Sequence, residues 1–75
     1  MTEELDATGL KCPLPVLRLR KRLMALAPGA RLRVLADDPV AVVDIPHFCA
    51  EEGHRVEEQA ERDGIQHYLI RKGMA

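Results

Sequence analysis

The chain has 75 residues, 47% hydrophobic and 31% charged, which leaves room for one hydrophobic core and marks a globular rather than a disordered chain. Eleven Lys and Arg against twelve Asp and Glu give a net charge of −1, so bulk charge supplies no attraction to nucleic acid or to an anionic membrane. No apolar run approaches the roughly 18 residues of a membrane span, the acidic opening predicts no signal peptide, and two aromatics, Phe48 and Tyr68, are too few to stack bases.

Glu3–Ala7 reads as a short strand with Leu5 and Ala7 on one face, followed by a turn at Thr8–Lys11 that Gly9 punctuates. A helix is predicted from Pro13 to Ala27, ended by Pro28 and Gly29. At about 100° per residue, Val16, Leu19, Leu23, Leu26 and Ala27 share one face, flanked by Met24. Arg18, Lys21, Arg22 and Ala25 share the opposite face, and Leu14 falls on that charged side, out of pattern.

Arg31–Ala36 alternates, with Leu32, Val34 and Ala36 turned one way and Arg31, Arg33 and Leu35 the other, the pattern of a half-wet strand. Asp38 before Pro39 predicts an N-capped second helix that reaches Glu52 and stops at Gly53. Pro46 inside it predicts a kink, or a restart capped by Asp44. His54–Ala60 and Ile65–Arg71 flank Glu61–Gly64, a hairpin signal in which Gly64 takes a positive φ. The order β-α-β-α-β-β implies one α/β domain over residues 1–75: a two-layer α/β sandwich in which a four-stranded mixed sheet carries both helices on one face.

Charge is unevenly spread. Residues 1–35 carry a net +4 and residues 36–75 a net −5. Such a dipole either orients the molecule toward a partner or reflects two solvated faces of opposite sign.

Of the two cysteines, Cys49 projects with Val42 and Ile45 at the centre of an apolar stripe and reads as core. Cys12 stands where the first helix begins. With Pro13 at the first helical position, Cys12 is its expected N-cap, and only Leu14 and Val16 keep N–H groups in a first turn stiffened by Pro13 and Pro15. A thiolate there would face the positive helix end, accept a bond from the Leu14 N–H and have Lys11 beside it, which are conditions that depress a cysteine pKa. The alternative is a small buried hydrophobe at a loop–helix junction. Too few for a disulfide scaffold, the cysteines are expected to stay reduced in a cytoplasm and not to pair with each other.

A zinc site is not expected: His47 points about 160° away from Cys49 on a helix and reads as a charge partner of Asp44 and Glu51. His54 and His67 read as ordinary strand histidines. There is no Gly-rich phosphate loop, no Cys–His pair at a readable spacing and no supported carboxylate dyad. Nothing identifiable is a general base for Cys12, which favours a carrier whose partner does the activation.

Cys12-Pro13-Leu14-Pro15 at the head of the first helix, preceded by Leu5-Asp6 and Gly9-Leu10, resembles the TusA/SirA-like sulfur carriers. The likeness continues through Asp38-Pro39, Asp44-Ile45-Pro46 and Gly53-His54 to Tyr68–Lys72. The resemblance implies a β-α-β-α-β-β sandwich related to the C-terminal domain of a bacterial translation initiation factor. It also implies a cytoplasmic, cofactor-free sulfurtransferase that works as a relay, with a persulfide carried on Cys12. A cysteine desulfurase or rhodanese-like protein would load it. A DsrE-type protein or a tRNA-thiolation enzyme, molybdenum-cofactor assembly or sulfur oxidation would unload it.

On that reading Leu10 and Leu14 form an apolar contact around the sulfur while Arg18, Lys21 and Arg22 steer an acidic partner. The domain is expected to be a monomer. The competing classes are an RNA-binding module, which the basic first helix suggests and the sparse aromatics oppose, and a protein-binding regulatory module with an incidental cysteine.

Overall fold

Six elements follow one another in the computed structural model, which describes residues 2–74: β1 (Glu3–Asp6), α1 (Leu14–Met24), β2 (Arg31–Ala36), α2 (Ala41–Glu52), β3 (Arg55–Arg62) and β4 (Ile65–Arg71). The strands form one mixed sheet in the order β1-β2-β4-β3. β1 and β2 are parallel, joined through α1 as a crossover requires. β4 runs antiparallel to both its neighbours and inserts between β2 and β3. The hairpin turns through Asp63 and Gly64, with φ of 52° and 79°. That two-residue, doubly positive-φ turn matches the right-handed twist of the strands it joins, so Arg62 pairs directly with Ile65. β3 is therefore two residues longer than its predicted end at Ala60. It forms a sheet edge of charged side chains with an irregularity between Val56 and Glu58, features that discourage pairing with another chain.

The alternation in β2 and β4 sets the core. Leu32, Val34 and Ala36 of β2 and Tyr68 and Ile70 of β4 are buried under Leu19 and Leu23 of α1 and Ala41, Ile45, Phe48 and Cys49 of α2. Both helices thus cover the same sheet face, in two layers. Each large aliphatic side chain so buried contributes about 1.5–3 kcal/mol.

The helix ends depart from expectation. α1 closes at Met24 because Ala25 and Leu26 bond back to the Arg22 and Leu23 carbonyls in a tightened last turn; Ala27 lies outside it, and Met24 is exposed. α2 starts at Ala41 after Val40, with no side-chain cap, so Asp38 does not cap it. Pro46 causes no restart, and α2 is one helix capped by Gly53 at φ 79°. The carbonyl that Pro46 leaves without a partner belongs to Val42, an exposed residue rather than the core residue expected, where water can serve it. His54 precedes β3 instead of opening it. Its Nδ1 accepts the Gly73 N–H at 3.0 Å, which ties the end of α2 to the end of β4.

Candidate functional site

The β1–α1 loop is built from its acidic flanks. Asp6 Oδ1 accepts from the Thr8 N–H at 3.0 Å and the Thr8 hydroxyl at 2.6 Å, which holds the Asp6 carboxyl below its usual range. Beyond the turn, the two aspartates that follow β2 reach across. Asp37 Oδ1 accepts from the Gly9 N–H at 3.0 Å, and Asp38 Oδ2 accepts from the Cys12 N–H at 2.9 Å. Asp38 is itself braced from the sheet: its carbonyl accepts from Gln66 Nε2 at 2.8 Å, and Gln66 Oε1 accepts from the buried Tyr68 hydroxyl. A chain of polar contacts therefore runs from the core to the backbone of Cys12.

Cys12 is exposed and stands two residues before the first helical residue, one position outside its predicted place as N-cap. Pro13 is the cap residue, after a cis Cys12–Pro13 peptide. The Leu14 N–H does not face the sulfur, because the loop closes on itself and that donor bonds to the Lys11 carbonyl at 2.8 Å. The Cys12 Sγ instead donates to Asp44 Oδ2 of α2 at 3.0 Å. This contact raises the Cys12 pKa; burial and the charges of Asp44 and Asp38 add to it. The expected depression is overturned for a reason of scale. A helix end offers roughly half a unit charge, spread over a turn, whereas Asp44 places a full negative charge in contact with the sulfur. At rest Cys12 is a thiol.

Around it, Lys11, Pro13 and Leu14 are exposed, Leu10 is half-buried, and Pro15 is buried against the core. Leu17, which no sequence pattern singled out, is exposed one turn along from Leu14. Arg18 and Lys21 are exposed and make no ion pair among the described residues. Arg22 is different: it donates to Glu3 Oε1 at 3.0 Å and to the Glu4 carbonyl at 3.2 Å, which staples α1 to β1. Arg22, expected to help steer a partner, thus also serves the cohesion of the fold.

His47 pairs with Glu51 at 2.7 Å as expected, but Asp44 on the same face is committed to Cys12. Cys49 is buried, and desolvation pushes its thiol up to about 11. Among the described residues no three His, Cys, Asp or Glu side chains are placed to hold a metal ion. Sequence reading missed Asp37, Asp38, Asp44 and Gln66 as site residues. The available signals were two acids closing a strand opposite a glycine turn and a glutamine at an inward position of β4.

Residues 3–72 match the family model described as Sulfurtransferase TusA. The sulfur carrier protein TusA of Pseudomonas aeruginosa is 52% identical over 68 residues, covering 91% of this chain and 86% of its own length. The sulfur carrier protein TusA of Allochromatium vinosum is 46% identical over 70 residues, covering 93% and 92%. The crystal structure of a SirA-like protein from Desulfitobacterium hafniense superposes with a TM-score of 0.84 at 31% identity, over 97% of this chain and 99% of that one. Fold and sequence therefore converge, and the chain belongs to the TusA sulfurtransferase family.

Proposed function

We propose that the protein accepts sulfane sulfur as a persulfide on Cys12 and transfers it to a partner protein. The observation that carries this reading is the contrast between the two thiols: Cys12 is exposed at the head of α1 on a braced loop, whereas Cys49 is enclosed in the core. The Cys12 sulfur, once deprotonated, attacks the outer sulfur of a donor persulfide. A new S–S bond forms, the donor's S–S bond breaks, and the donor leaves as a thiolate that takes up the proton. An acceptor thiolate then attacks the outer sulfur and releases Cys12. Sulfur moves at the same oxidation level, so no cofactor or oxidant enters the balance.

A cysteine desulfurase or rhodanese-like protein suits the donor role, and a DsrE-type protein or tRNA-thiolation enzyme the acceptor role. Exposed Leu14 and half-buried Leu10, near Cys12 in the chain, would offer the partner an apolar contact, and the exposed Lys11, Arg18 and Lys21 would steer an acidic partner surface. Intact-mass measurement after incubation with a sulfane-sulfur donor tests the carrier step. One added sulfur is expected on the native chain, retained in Cys49→Ala and absent in Cys12→Ser. Uptake that survives Cys12→Ser overturns the reading.

A further inference from the structure

We propose that Asp44 is a guard on the carrier: it holds the empty Cys12 as a protonated thiol folded against α2, and it cannot hold the loaded one. The proposal rests on the reading of Cys12 as the sulfur-bearing residue and adds its regulation. Both ends of the contact are fixed independently. Asp44 is half-buried on a helix whose next residue, Ile45, is fully enclosed in the core. The Cys12 backbone is pinned by Asp38, 26 residues away in sequence. Between two fixed backbones the Cys12 side chain is the part left to move, and the 3.0 Å bond from Sγ to Asp44 Oδ2 sets where it rests.

That bond requires a donor. A neutral thiol has one S–H to give, and a carboxylate only accepts. A persulfide is a stronger acid than a thiol, so near neutrality the loaded side chain loses its proton to solvent. It then presents an anion to an anion, and the attraction becomes a repulsion. The empty sulfur is drawn in; the loaded sulfur is turned out toward solvent and a docking partner. The surrounding charges do not cancel this. Asp38 beyond β2 adds a second negative charge, and Lys11 on the loop itself is exposed. His47, Glu51 and Glu52 of α2 and Arg20 of α1 line the adjoining groove, where His47 is already paired with Glu51.

The pH dependence of Cys12 alkylation by iodoacetamide, followed by intact mass on empty and on sulfur-loaded protein, tests the guard. In Asp44→Asn the empty protein is expected to react several-fold faster at pH 7, with its midpoint moved to lower pH, while the loaded protein, no longer repelled outward, gains no such acceleration. Asp44→Glu keeps the charge and is expected to restore most of the native profile. Equal alkylation of empty native and Asp44→Asn protein, both shown folded by circular dichroism, overturns the proposal. Failure of Cys12 to take up sulfur at all would instead sink the carrier reading, and the titration of the empty thiol would still report on Asp44.

Discussion

Gly73 is where one added methyl group has nowhere to go. A Cβ built there would overlap the Gly53 carbonyl, which is backbone and cannot rotate away. The Gly73 N–H is also committed, to His54 Nδ1 at 3.0 Å. Gly53 in turn holds the left-handed conformation that ends α2. Gly73→Ala must therefore push the end of β4 off the α2–β3 junction and break the bond to His54. We expect a loss of about 1–3 kcal/mol, the usual cost of overpacking, seen as a lower urea midpoint with an unchanged slope. An unshifted midpoint would show that the junction yields freely.

At the scale of elements, the loop that carries Cys12 is held by the connection between β2 and α2 rather than by α1. Asp38→Ala removes the acceptor for the Cys12 N–H. It is expected to cost about 1 kcal/mol and to speed hydrogen exchange at the Cys12 amide. Asp38→Asn keeps an oxygen in place and should fall between. Because the Asp38 charge is the weakest of the causes that raise the Cys12 pKa, its removal should lower the alkylation midpoint less than Asp44→Asn does. Unchanged amide exchange in Asp38→Ala would remove this account of the loop.

The same residue shows where sequence reading succeeds and stops. Strands β2 and β4 and the Asp63–Gly64 turn were legible because alternation and turn chemistry are local. Leu19 and Leu23 likewise announced a helix with a buried face. Asp38 before Pro39 has every local mark of a helix cap, yet its carboxylate is drawn across to a loop 26 residues earlier. The position of Cys12 at a helix start was legible to within one residue. Its acidity was not, because the charge that decides it arrives from 32 residues away.

For the molecule as a whole, the opposed charges of the two halves are partly spent on cohesion, as Arg31 pairs with Glu57 at 2.8 Å, while Arg22 pairs with Glu3 within the first half. One source of pH sensitivity is the set of groups buried in neutral form. Desolvation pushes the Cys49 thiol up to about 11 and the Tyr68 hydroxyl up to about 12, from 9.0 and 10.0. In the folded state both hold protons that the unfolded chain has released, so their contribution is full below pH 9 and is lost as pH rises through the folded values. Where one such group is ionised only when unfolded, stability falls by about 1.4 kcal/mol per pH unit. His54 acts on the acid side. Its pKa is lowered by burial, and its Nδ1 must stay unprotonated to accept the Gly73 N–H. Its contribution is present above pH 6.5 and is lost as pH falls through the lower folded value. Urea midpoints between pH 5 and 11 should therefore form a plateau near neutrality with a decline on each side. Cys49→Ala leaves a small core cavity and should lower the plateau, yet its decline between pH 9 and 11 should be shallower than that of the native chain. An equally steep decline in Cys49→Ala would assign the alkaline limb to groups other than the buried thiol.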